Sequence, residues 1–280
     1  MFHAQKMKPQ DFYFAVQLAN TLDWDMADVD FEYMSMLEPD GCFVLWQGHE
    51  RVGMATCVNY RKMGWFGNLA IKPEFRRKGA GTYLVKHAVQ YLRNKGVEAI
   101  GLYAYQHLVG FYGKIGFKPL DDFVVLNGTI TETKCIVDAF PKAIMKDIPD
   151  LTDLDSFCMG WSRKRLLESM LREEGNLCYQ HAERGEIQGF VMVKVYGEMA
   201  EVGPLVCGRD RRHVAIELIE NTLAEIGGLE IYAYVPLKET EILGLFQKAG
   251  LKEKFRVTRM FLGPVGAESC VYMPESLERG

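Results

Sequence analysis

Shifted by 136 positions, the chain matches itself, and that repeat limits the folds open to it more than any other feature. "GCFVLWQGHERVGMA" from Gly41 lies over "LCYQHAERGEIQGFV" from Leu177, so that Cys42 meets Cys178 and Gly53 meets Gly189. With small adjustments of the shift, "WFGNLAI" (Trp65 to Ile71) falls on "AEVGPLV" (Ala200 to Val206), and "FYGKIGF" (Phe111 to Phe117) answers "LFQKAGL" (Leu245 to Leu251). Upstream, "TLDWDMADVDFEYMSMLEPDG" resembles "CMGWSRKRLLESMLREEG" in its tryptophan, its apolar periodicity and its closing glycine. Matches recurring in one order indicate a duplicated unit. The expected domains are residues 1–137 and 138–280, joined near Thr131 to Lys142.

Each copy reads as helices, a strand pair around a glycine turn, a third strand, a long helix, another strand, a short helix and a closing strand or hairpin. In the first copy the long helix runs from near Gly81 to about Lys95. Tyr83, Leu84, His87, Ala88, Tyr91 and Leu92 recur there at intervals of three and four, and Gly96 is the stop. The next strand spans Val97 to Tyr105, and a short helix precedes Gly116. Strand, helix, strand in succession favours a right-handed crossover and locally parallel strands inside an otherwise mixed sheet. The expected class is therefore α/β (α+β, mixed sheet): two tandem domains, each a twisted sheet flanked by helices.

Composition narrows the function. A net charge of −4, with lysine and arginine scattered along the chain, offers no broad basic face, so no nucleic-acid partner is expected. No apolar run is long enough to cross a bilayer, and the opening "MFHAQKMKPQDFYF" lacks the apolar centre of a signal peptide, which gives the expectation of a cytoplasmic protein without a membrane partner. Seven cysteines stand singly, without CxxC spacing, so neither a metal site nor a disulfide frame is expected.

The loop "RRKGAG", Arg76 to Gly81, sits between a strand ending at Ile71 and the long helix. Unpaired N–H groups at a helix start, glycines that admit an oxygen close to the main chain, and Arg76, Arg77 and Lys78 together make a seat for a phosphate. The loop is neither GxxxxGK[ST] nor GxGxxG. Its form, R-x-x-G-x-G, resembles the pyrophosphate loop between the fourth strand and third helix of the GNAT superfamily of acyl-CoA-dependent N-acetyltransferases. "NLAIKPEF" before it and "FYGKIGFKP" after it resemble that superfamily's neighbouring segments, and the likeness covers most of residues 1 to 137.

The resemblance implies acetyl-CoA as cosubstrate, its pyrophosphate on the amides of Arg77, Lys78, Gly79, Ala80 and Gly81, with Arg76 opening the motif. The pantetheine arm would then run along Leu69, Ala70 and Ile71. The amide near Leu69 or Ala70 would be the oxyanion donor, and Tyr112 the acid for the leaving thiolate. The implied reaction is direct transfer to a primary amine of a small molecule or peptide, with no metal. The base stays open among Asp28, Asp30, Glu32, His107 and a water chain. Asparagine, often found in the superfamily near the position of Tyr105, is absent from "YAYQHLVG". Cys57 reads as a buried structural cysteine rather than a nucleophile, and Trp24, Phe31, Tyr33, Met34 and Met36 either pack a helix or line the acceptor entrance.

The second copy departs at these positions. "RRHVAI" puts Val214 at the place of Gly79 and Ile216 at that of Gly81, while Phe246 stands where Tyr112 stands. It is expected to keep the scaffold, lose the cofactor seat and the acid, and complete the acceptor pocket, pack on the first half or mediate a homodimer contact. Alternative readings are a non-catalytic acyl-CoA sensor, a hydroxyl acceptor or a longer acyl group.

Overall fold

The duplicated pattern becomes a duplicated order of elements in a computed structural model that describes residues 1–130, 140–265 and 270–280. The first half runs β1 (Phe2–Lys6), α1 (Pro9–Asn20), α2 (Asp28–Leu37), β2 (Cys42–Gln47), β3 (Glu50–Tyr60), β4 (Met63–Ile71), α3 (Ala80–Asn94), β5 (Ala99–Tyr105), α4 (Val109–Gly113) and β6 (Lys118–Thr129). The second runs α5 (Ile148–Met159), α6 (Lys164–Arg172), β7 (Leu177–Glu183), β8 (Glu186–Tyr196), β9 (Met199–Gly208), α7 (Arg212–Glu225), β10 (Glu230–Pro236), α8 (Thr240–Lys248), β11 (Lys252–Leu262) and β12 (Cys270–Met273). The expected join falls largely on residues 131–139, outside the described residues.

The long helix α3 starts and stops one residue before the positions read from its periodicity. It buries Leu84, Val85, Ala88 and Leu92 along one stripe, and Gly96 at φ +84° ends it. Alternation along the strands divides the core in two directions. One cluster, with Leu45, Cys57, Phe66, Leu102 and Tyr112, lies under α3 and α4. A second lies under α7 and α8, around Val202, Leu218 and Phe246. On the opposite face a single cluster joins α1 and α2 of the first half to α5 and α6 of the second, from Phe31 and Trp65 to Leu151 and Phe190.

The halves are not two separate sheets. Among the described residues twelve strands form one sheet, in which β11 of the second half enters between β5 and β6 of the first, and β6 in turn pairs with β10. The pairing of β11 with β5 runs from Val257 opposite Tyr105 to Leu262 opposite Ile100, and that of β6 with β10 from Thr129 opposite Glu230 to Phe123 opposite Pro236. Each half thus lends its long closing strand to the other. Val257, Met260 and Phe261 are buried where β11 crosses over, and each such side chain is worth about 1.5–3 kcal/mol of burial.

Candidate active site

The cleft begins as a fork in the sheet. Parallel pairing of β4 with β5 holds only from Met63 opposite Ala99 to Trp65 opposite Gly101. Beyond Trp65, β4 continues to Ile71 with its other edge on β3, and a register shift there sets Ala70 against Met54 but Gly67 against Thr56. The irregularity holds Asn68 at φ +51°, with its amide donating to the Thr56 hydroxyl at 3.2 Å. A bulge bends the strand that carries it, so Leu69, Ala70 and Ile71 lie on an edge facing β5 that no described strand covers.

That edge leads into the loop. A short 3-10 turn at Pro73–Phe75 is fastened by the Arg76 side chain, whose Nε donates to the Ile71 carbonyl at 2.8 Å. Arg77 at φ +59° and Gly79 at φ +87° then curl the main chain to the start of α3 at Ala80. Two left-handed residues with one residue between them, followed by free amides at a helix start, form an anion-binding concavity. Arg77 and Lys78 are exposed beside it. A Cβ on Gly81 would meet Phe111 of α4 at 3.4 Å, an ordinary van der Waals contact.

Tyr112 of α4 is 5% exposed and its ring packs against those of Phe66, Phe111 and Phe117. Burial pushes its phenol above the ordinary tyrosine value, so it stays protonated. Loop and tyrosine therefore share the α3 and α4 face of the fork. Cys57 on the same face is fully buried, and burial raises its thiol well above the ordinary value, which makes it inert.

The base candidates are dispersed. The Asp30 carboxylate caps its own helix by accepting from the Ala27 amide at 2.8 Å, Asp28 and Glu32 are exposed on α2, and His107 is exposed, stacked on Tyr105. Phe31 and Met34 are core, whereas Trp24 donates to the Tyr105 hydroxyl at 3.1 Å.

In the second half the same fork is closed. Parallel pairing of β9 with β10 stops at Val202 opposite Ala233, and past it β12 runs antiparallel along the vacated edge, from Met273 opposite Leu205 to Cys270 opposite Gly208. The helix α7 starts at Arg212, three residues earlier than α3 in the motif alignment, and consumes the loop. Val214 is buried against Gly189, Arg211 pairs with Glu183, and Arg212 with Glu239. These arginines are engaged within the protein.

The sequence does not say where the segment beyond β12 packs. Residues 274–280 leave the second fork and cross to the first. Trp65 Nε1 donates to the Leu277 carbonyl at 3.1 Å, the Tyr60 hydroxyl to the Arg279 carbonyl at 2.8 Å, and Arg163 to the Gly280 carbonyl at 2.7 Å. Glu275 is buried between Lys194 at 2.5 Å and Arg279 at 2.8 Å, and Arg279 also meets Glu278 at 2.8 Å. The spacing of Glu275 and Arg279 is the one sequence signal of this cluster. Among the described residues no group of three His, Cys, Asp or Glu side chains is placed to hold a metal ion, and no helix is long and apolar enough to cross a membrane.

Comparison with known proteins gives two family matches: residues 10–117 fit the model described as Acetyltransferase (GNAT) family, and residues 151–271 that described as Acetyltransferase (GNAT) domain. An uncharacterized N-acetyltransferase of Methanocaldococcus jannaschii is 24% identical over 98 residues, 31% of this chain and 43% of that protein. The chain spans less than half the length of the curated relatives it matches. Among solved structures, a proposed acetyltransferase of Pyrococcus horikoshii superposes with a TM-score of 0.82 at 23% identity, covering 100% of this chain and 96% of the other. A tandem GNAT protein from the clavulanic acid biosynthesis pathway does so with a TM-score of 0.64 at 13% identity, covering 95% and 100%. At these identities the structures speak for the fold alone.

Proposed function

Both halves of this chain belong to the GNAT acetyltransferase family, a family of acyltransferases, and from that premise we propose that the first half moves an acetyl group from acetyl-CoA to a primary amine. The observation that carries this reading is the fork at Trp65 and Gly101, whose open edge runs straight into a glycine loop at the start of α3. The amides of Arg77 to Gly81 hold the donor's pyrophosphate, with Arg77 and Lys78 adding charge. Main-chain groups of Leu69, Ala70 and Ile71 bind its arm as an added strand would be bound. The amide at Leu69 or Ala70 donates to the oxyanion as the amine attacks, and Tyr112 donates to the sulfur as the carbon–sulfur bond breaks.

The second half holds no donor in this reading. Its fork carries β12, its loop is helix, and Phe246 has no proton to give. It acts as scaffold, supplying β11 beside β5 and the segment 274–280 beside β4.

Titration calorimetry with CoA, followed by thiol release from acetyl-CoA across a panel of primary amines, tests the proposal. One CoA per chain and amine-dependent release are expected; no heat, or heat without any acceptor-dependent release, removes the catalytic reading.

A further inference from the structure

Glu278 lies where the fork opens. A Cβ on Gly67, two residues past the last pair of β4 with β5, would fall 2.6 Å from Glu278 Cβ, 2.7 Å from its Cα and 2.8 Å from its carbonyl oxygen. The main chain at Glu278 therefore rests flat on β4, and only glycine leaves room for it. Gly67 faces the side of the sheet that Trp65 occupies, opposite Phe66 and Tyr112. An acyl donor seated by the loop and Tyr112 on one face leaves the other face for the acceptor, and Glu278 stands on that face.

The electrostatic surroundings point the same way. Glu278 belongs to a cluster in which two cations, Lys194 of β8 and Arg279, meet three carboxylates, Glu201 of β9, Glu275 and Glu278. Arg163 nearby is committed to Asp155 at 2.5 Å. Tyr105 of β5 and Tyr234 of β10 lie within electrostatic reach of Glu278 with neutral hydroxyls, the first accepting from Trp24 at 3.1 Å and the second donating to Glu201 at 2.5 Å. The cluster is one positive charge short. Glu275 is fully buried between its partners, whereas the Glu278 side chain keeps 23% of its surface open. Burial holds the Glu278 carboxyl above its ordinary value against the pull of Arg279 and Lys194.

We propose that Glu278 is the carboxylate that receives the acceptor: it binds the substrate as an ammonium ion and takes one proton from it, so that the free amine attacks. This rests on the acetyl-transfer reading above. One N–H bond of the ammonium breaks and an O–H bond forms on Glu278; the nitrogen then bonds to the thioester carbon and the carbon–sulfur bond breaks. The second proton leaving nitrogen balances the one that Tyr112 delivers to sulfur, and Glu278 returns its proton to solvent. The acceptor class is thus an amine that is cationic at neutral pH.

The test compares wild type with Glu278→Gln in thiol release from acetyl-CoA, using strongly basic primary alkylamines and a weakly basic aromatic amine already uncharged at pH 7. A general base contributes roughly 10²–10⁴-fold, so kcat/KM for the alkylamines should fall by at least about 10²-fold and lose its acidic limb, while the aromatic amine and the affinity for CoA stay within about twofold. Glu278→Asp, which keeps the charge with a shorter reach, should recover part of the alkylamine rate, and it guards against a folding loss in the amide variant. Equal losses for both amines, or none, overturn the role of Glu278 in a working enzyme. Absence of CoA heat and turnover in the wild type overturns the underlying reading instead.

Discussion

Met273 stands opposite Leu205 on the edge of β9, while Ala70, the counterpart of Leu205 in the repeat, has no described strand on the matching edge of β4. One fold thus contains the same fork twice, once open and once closed by its own chain. Calorimetry should return a stoichiometry of one CoA per chain. Gly79→Val should weaken that binding about tenfold, because a branched residue at φ +87° costs on the order of 1–2 kcal/mol and distorts the loop. An unchanged dissociation constant would sever the loop from the site.

Tyr112→Phe should fold normally, since the ring remains packed among Phe66, Phe111 and Phe117. Single-turnover transfer from acetyl-CoA should slow by about 10²-fold or more with CoA affinity retained. A variant as fast as wild type would exclude Tyr112 as the donor to sulfur.

Strand exchange makes the halves interdependent. A fragment of residues 1–130 should lack a cooperative unfolding transition on its own, because β6 and β5 lose the partner that lies between them. The intact chain should unfold in one transition by circular dichroism and calorimetry alike. Two separate transitions would show that the exchanged strands contribute little.

Acid should destabilise the protein through Glu275. Burial alone would raise its carboxyl, but Arg279 and Lys194 outweigh burial and hold it well below the ordinary range. With the folded value depressed, the stabilisation is fully present above the unfolded value near 4.5 and is lost as pH falls below it. Glu275→Gln should destabilise the protein at pH 7, by removing the buried carboxylate that Lys194 and Arg279 share while each keeps one other carboxylate, Glu201 and Glu278, and should flatten the acid limb of stability measured by urea titration. An unchanged acid limb would remove Glu275 from that account.

The parts legible in the sequence are those set by local chemistry. Apolar spacing from Leu84 to Leu92 wrote α3, and Gly79 and Gly81 wrote the loop before it. The substitutions Val214, Ile216 and Phe246 marked the second half as different, and the structure adds the earlier start of α7 and the strand β12. Strand exchange left no trace, because β6 and β11 bury continuous runs, Phe123 to Leu126 and Val257 to Phe261, that carry no alternation to fix a neighbour, and only the tertiary choice of partner distinguishes the two arrangements. Glu278 was hidden for a related reason. The tail "GAESCVYMPESLERG" has an apolar centre that suits a return onto the body, but nothing local says that Gly67, far away in sequence, makes room for Glu278. Asp30, by contrast, looked like a chemical candidate and proves to be a helix cap.

The exchanged strand also imposes a schedule on synthesis. A ribosome delivers β5 long before β11, so the wall of the cleft nearest Tyr105 must stay unfinished until residue 262 has emerged. During that interval the nascent first half exposes one edge of β5 and both edges of β6, a known invitation to aggregation. Completion of the cleft therefore waits on the second half of the chain.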